Sequence, residues 1–215
     1  MDREDGTAKE DKAAEIELLL RYLQNAREAL LWKLDGLGEY DIRRPLTPTG
    51  TNLLGLLKHT ASVEYGYLTQ CFGRDAGIET PWLDDGAPDN ADLWAPPEES
   101  REFIVGLARD AWASDDASAR ELGPDAVGTV PWWGEHGEQA TMRRLLVHSI
   151  AETNRHAGHA DILREMIDGA AGLRASASNL PDRDALWWAE YVRTLEAAAR
   201  DAADGTASPT DGARG

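Results

Sequence analysis

Between Leu145 and Met166 the sequence marks out steps of three and four residues: Leu145, then His148 or Ser149, Glu152, His156, His159, Leu163 and Met166. That spacing is the period of an α-helix with one face turned inward. Thr141 or a neighbour can cap the first turn, and Gly169 follows Asp168 as a stop, so the spacing predicts one long helix. A helix of that length needs partners of similar length to cover its face.

Three other segments supply them. From about Lys12 to Leu34, Ile16, Leu19, Leu20, Leu23, Leu30, Leu31 and Leu34 recur at helical spacing until "DGLGEY" interrupts them. A turn, "RRPLTPTGTN", leads into a second helix predicted from about Asn52 to Phe72, with Leu53, Leu56, Leu57, Thr60, Tyr67, Leu68 and Cys71 on its inner side. A third, opened by Ser100 or the acidic pair before it, carries Phe103, Ile104, Leu107, Ala111 and Trp112 to around Glu121. Two long connections separate these helices. One spans Gly73 to Pro97 and holds Trp82 and Trp94; the other, "LGPDAVGTVPWWGEHGEQAT", holds a short β-like piece with Trp132 and Trp133. Loops this long inside a domain are structured by their own packing or carry function. The reading is therefore all-α: a four-helix bundle with long crossover connections. An additional C-terminal helix lies within "PDRDALWWAEYVRTLEAAARDAAD", with Trp188, Tyr191, Val192 and Leu195 as its expected buried edge. Residues 1–11 and 203–215 read as disordered tails around a helical domain of residues 12–202.

Charge narrows the partners. A formal net charge of -17 opposes binding to nucleic acid, which needs a basic stripe to displace counterions. No apolar run approaches the ~18 residues of a membrane span. The acidic opening "MDREDGTAKEDK" has no signal-like apolar core, and a lone cysteine, Cys71, fits a reducing compartment; the expectation is a cytoplasmic protein without a membrane partner. Cys71 reads as a small core hydrophobe, not a nucleophile.

The polar island in the long helix carries the chemistry. Residues four apart on a helix are rotated by only ~40°, so Glu152 and His156 can present a carboxylate oxygen and an imidazole nitrogen to one point. His59, on the flank of Leu56 and Val63, can bring a third donor from another helix. Two imidazoles and one carboxylate are a catalytic-type set for a divalent ion. The same spacing also describes a plain surface ion pair, and a histidine on an apolar face is often satisfied by a hydrogen bond. His148 and His159 lie one turn to either side, as supporting groups or as ligands themselves. His136 sits in a glycine-flanked loop with no such spacing.

The stretches "LLGLLKHTASVEYGYL", "VPWWGEHGE" and "RRLLVHSIAETNRHAGHADILREMIDG" resemble the DinB-like superfamily. Within it they resemble the group long known as DUF664, related to mycothiol-dependent transferases and maleylpyruvate isomerase. The resemblance runs from about Ile16 to Asp168. It implies a DinB-like four-helix bundle whose divalent metal is held at one open end by a helix-two histidine and two residues four apart on the long later helix. On this sequence those positions are His59, Glu152 and His156. Many members use three histidines, so Glu152 departs towards the His, Glu, His variant that the isomerase resembles and lowers the charge of the site by one. His159 stands where relatives often have Gln.

The implied activity is a metal-dependent thiol S-transferase or isomerase. It would activate a low-molecular-weight thiol such as mycothiol against a small electrophile, with zinc first among zinc, nickel, manganese and iron. His159 and His148 are the candidate proton acceptors, and Trp132 and Trp133 the candidate binding surface for the cosubstrates. Two other readings remain open: a thiol-independent metal hydrolase or isomerase, and a non-enzymatic metal-binding stress-response module. The resemblance is also compatible with a homodimer.

Overall fold

Asn52, Ser100 and Thr141 each end a connection by turning a side-chain oxygen onto the first turn of a helix. They accept from Gly55 N at 2.8 Å, Phe103 N at 3.1 Å and Arg144 N at 3.3 Å. The computed structural model describes residues 2–206. Its helices are α1 (Asp2–Trp32), α2 (Glu39–Arg43), α3 (Leu53–Leu68), α4 (Arg101–Leu122), α5 (Met142–Asp168) and α6 (Ala185–Thr206). The β-like piece is an antiparallel hairpin, β1 (Val127–Val130) with β2 (Glu138–Thr141), in which Val127 pairs with Thr141 and Val130 with Glu138.

Helix boundaries follow the local chemistry. α3 stops at Leu68, short of the predicted Phe72, and one 3-10 turn (Gln70–Phe72) finishes the run before Gly73 takes a left-handed φ of 68°. α5 ends where Gly169 adopts φ 80°. α1 begins at Asp2, inside the stretch 1–11 that reads as a tail, because adding residues to an existing helix costs far less than nucleating one. At the other end α6 runs through Thr206, and the rest of the segment 203–215 lies outside the described residues.

Two compact units make up the chain, residues 1–178 and residues 179–215. In the first, α1, α3, α4 and α5 form the bundle: α3 packs on α4 and α5, and α1 packs on α5 and α4. This is the all-α four-helix bundle with long connections that the spacing predicts, and it agrees with the architecture that the resemblance implies. The second unit contains α6, opened by Asp184, which accepts from Trp187 N at 2.8 Å. Tyr191, Val192 and Leu195 are exposed, contrary to the buried edge expected for them. Among the described residues no helix is long and apolar enough to cross a membrane.

The bundle core is two apolar layers separated by a polar belt. Leu30, Leu34, Leu53, Leu57, Ile104 and Leu163 belong to one layer, and Leu23, Leu68, Val130, Met142, Leu145 and Leu146 to the other. Between them in sequence, on each of the four helices, lie Arg27, Glu64, Asp115 and Thr153, all buried. Arg27 Nε donates to Glu64 Oε1 at 2.7 Å, its terminal nitrogens bond Glu64 again and Asp116, and Thr153 Oγ1 donates to Glu64 Oε2 at 3.3 Å. Removing one member of such a buried pair leaves an uncompensated charge, at a cost of about 3–5 kcal/mol. The belt therefore fixes how the four helices register, and one of its members reaches the cavity described next.

Candidate active site

On α5 the buried line runs through Leu145, Ser149, Thr153, Ala157, Ala160 and Leu163. Glu152 and His156 are half-buried beside it, and His159 and Met166 are exposed. The polar island thus sits on the rim of the inward face, because the true helical period of 3.6 carries the 152, 156, 159 series off the core line.

Across from it, α3 presents His59. The His59 and His156 rings lie 4.9 Å apart at 71°, and His156 Nε2 lies 3.9 Å from Glu152 Oε2. Two helices therefore bring together the three side chains that the spacing and the resemblance single out. His159 packs on the far side of His156, with ring centroids 5.3 Å apart. Among the described residues, no three His, Cys, Asp or Glu side chains are already arranged to hold a metal ion.

His59 is oriented from outside its helix. Its Nδ1 lies 2.5 Å from Asp92 Oδ2. Against a carboxylate Nδ1 carries the proton, which leaves the Nε2 lone pair for another partner. Asp92 belongs to a 3-10 turn, Ala91–Leu93, that is tied to α3 at several points. Lys58 Nζ donates to Ala91 O at 2.9 Å and Trp94 O at 3.0 Å, and Asn52 Nδ2 donates to Leu93 O at 3.1 Å. Gly55 lets the turn come this close: a Cβ there would lie 1.9 Å from Leu93 O.

His156 is tuned differently. Burial, reinforced by the neighbouring His59 and His159, pushes its pKa down to about 4, so the imidazole is neutral at pH 7 and keeps a free lone pair. Its Nδ1 is buried with no hydrogen-bond partner. A buried polar atom left unpaired costs stability and is retained where something else uses it.

A cavity of about 290 Å³ opens onto this group, lined by His59, Glu64, Tyr67, His148, Glu152 and His156 among others. His148 is therefore a cavity residue, packed edge-on against Tyr67 at 4.7 Å and Trp133 at 5.2 Å. Trp132 and Trp133 do not line this cavity but are fixed beside it, since both indole N–H groups donate to Tyr67 Oη, at 2.9 and 3.0 Å. Trp133 instead lines a neighbouring cleft with His148 and Arg144, whose guanidinium lies 4.7 Å from the Trp133 ring. His136 is exposed in the hairpin loop.

A family model described as mycothiol-S-transferase matches residues 18–169. The chain belongs to the mycothiol-S-transferase family. The matched span begins in α1 and closes at the Gly169 cap of α5, so this member of the family carries all of the bundle but the first half of α1, with the hairpin and the cavity, inside the match. No curated protein matches the chain.

Within this mycothiol-S-transferase framework three residues of the site escape a reading of the sequence. Asp92 is 33 positions from the His59 it orients, in a loop without period. Glu64 and Tyr67 share the face of α3 that reads as core, and only the cavity shows that they reach it. Cys71 plays the part its sequence context suggests: it is buried, and burial pushes its thiol up to about 11.

Proposed function

We propose that this protein is a metal-dependent thiol S-transferase that joins mycothiol, or a closely similar thiol, to a small electrophile. The observation that carries the reading is the convergence of His59, Glu152 and His156 at one cavity in a chain of the mycothiol-S-transferase family.

The residues suit a divalent cation on two counts. His156 has a buried, unpartnered ring nitrogen and is neutral at pH 7, and His59 is held by Asp92 with its other nitrogen free to donate a lone pair. His59, Glu152 and His156 would hold the ion, with zinc the first choice for two imidazoles and a carboxylate. When bound, it would lower the pKa of a thiol from about 8.5 so that thiolate persists at neutral pH.

The chain's own groups do the rest. His148, in the cavity wall, takes the proton released as the cosubstrate thiol ionises, as an imidazole within the cavity can. His159, exposed on the far side of His156, is the weaker candidate for that role. The cosubstrate sulfur then forms a new bond to the electrophile, whose leaving group or π-electron pair departs from the carbon attacked. Tyr67, held by two indole N–H donors and packed edge-on against His148, keeps that part of the cavity wall in place. Cys71 takes no part, because the nucleophile arrives with the cosubstrate.

Protein purified without an affinity tag should contain close to one divalent ion per chain and consume mycothiol with a reactive electrophile, whereas His59→Ala should lose both. Turnover of substrate in the absence of any thiol would overturn this reading in favour of a metal hydrolase. Unaltered metal content in His59→Ala would remove the proposed centre.

A further inference from the structure

The connection between α3 and α4 contributes two tryptophans with opposite fates. Trp82 is 8 % exposed and its Nε1 donates to Ser62 Oγ at 2.9 Å, so it is spent on the core. Trp94 is 51 % exposed although its backbone is among the best anchored in the loop, with Lys58 Nζ donating to its carbonyl oxygen at 3.0 Å. A large indole held in water on a hydrogen-bonded backbone is a preformed surface, since less entropy is lost from the loop when a partner stacks on it.

Trp94 forms part of a groove of about 550 Å³ that is distinct from the cavity described above, yet His156 lines both. Leu56 and Leu93 add apolar surface, and Thr49, Thr51 and Asn90 add hydroxyl and amide groups. None of the lining residues is Asp, Glu, Lys or Arg. In a chain with 28 % charged residues, a groove lined by no carboxylate, ammonium or guanidinium, with His156 and His159 at its edge, suits a hydroxyl-rich ligand.

We propose that this groove is the subsite for the sugar portion of the thiol cosubstrate, a pyranose or inositol ring stacking on Trp94 while its hydroxyls meet Thr49, Thr51 and Asn90. The inference rests on the S-transferase reading, which supplies the ligand's chemistry: mycothiol is a cysteine derivative joined through an amide to a glucosamine–inositol pair. The C–H faces of such rings carry slight positive charge and fit the negative face of an indole, and their hydroxyls both donate and accept. His156 lines both groove and cavity, so a ligand seated on Trp94 lies beside the imidazole that also faces the His59 side.

The test separates sugar recognition from catalysis. The full-length protein is titrated with the glucosaminyl-inositol pseudodisaccharide lacking cysteine, and binding is followed by calorimetry and tryptophan fluorescence, in parallel with Trp94→Ala and Trp94→Phe. The pseudodisaccharide should bind, Trp94→Ala should weaken it about tenfold, and Trp94→Phe should recover part of the loss. In turnover, the kcat/KM preference for mycothiol over N-acetylcysteine should fall about tenfold in Trp94→Ala. No binding of the pseudodisaccharide, binding that Trp94→Ala leaves unchanged, or a rise confined to the KM of the electrophile would overturn the assignment. The S-transferase reading fails by a different result, absence of turnover with every thiol, which the binding titration does not depend on.

Discussion

Asp92 Oδ2 stands 2.5 Å from His59 Nδ1, so the carboxylate of a loop turn sets the tautomer of a helix histidine in the candidate site. Glu152 and His156 share one helix and owe their geometry to its pitch. His59 owes its orientation to a loop 33 residues away, and that makes the loop part of the site.

Asp92→Asn keeps a hydrogen-bond acceptor but removes the charge that favours a proton on Nδ1. Divalent-metal affinity, measured by competition with a chromogenic chelator, should fall about 10- to 100-fold while the far-ultraviolet circular dichroism spectrum stays that of the parent. An unchanged affinity would mean that Asp92 is only a surface partner of His59.

Gly55→Ala tests how the loop is seated. The new Cβ would lie 1.9 Å from a backbone carbonyl oxygen and has no flexible side chain to push aside, so the Ala91–Leu93 turn must move. The expected loss is about 1–3 kcal/mol in urea unfolding, accompanied by weaker metal binding. Gly106→Ala is the control: it lies within α4, a Cβ there meets nothing within 4 Å, and the change should stabilise by about 0.5–1 kcal/mol.

Asp115 gives a pH dependence with a definite sign. Burial, with the nearby Glu64 charge, raises its folded pKa well above the usual carboxylate range, and its Oδ2 is buried without a partner. A group whose folded pKa is raised contributes stability that is full below the unfolded value and is lost as pH rises through the folded one. Asp115→Asn resembles the protonated acid and can still accept from Thr69 Oγ1, which donates to Asp115 Oδ1 at 2.7 Å. The variant should therefore gain on the parent as pH rises from about 4 towards neutrality and show no gain at the acid end. Parallel urea titrations across that range check this, and a stability difference independent of pH would contradict it.

Cys71 should be inert in the folded protein. With its thiol pushed up to about 11, roughly one molecule in a thousand carries thiolate at pH 8, and the side chain is buried as well. Reaction with a maleimide should be slow in buffer and rapid in denaturant, and Cys71→Ala should retain thiol turnover. Loss of turnover in a folded Cys71→Ala protein would reassign the nucleophile.

The sequence by itself determined the bundle helices and those ends that carry a local cap, because those are local: Ser100 and Thr141 cap the next turn, Gly169 accepts the left-handed φ of 80°, and apolar residues recur at the pitch of the helix. It also paired Glu152 with His156, whose approach follows from four residues of one helix. Tertiary structure decided everything that depends on distance along the chain. It turned Asp92 onto His59, carried Glu64 to both Arg27 and the cavity, buried Trp82 while leaving Trp94 in water, and put His148 inside the cavity with His159 outside it. Periodicity says which face of a helix turns inward, but which loop closes over that face, and which polar group it meets there, is settled only when the segments pack.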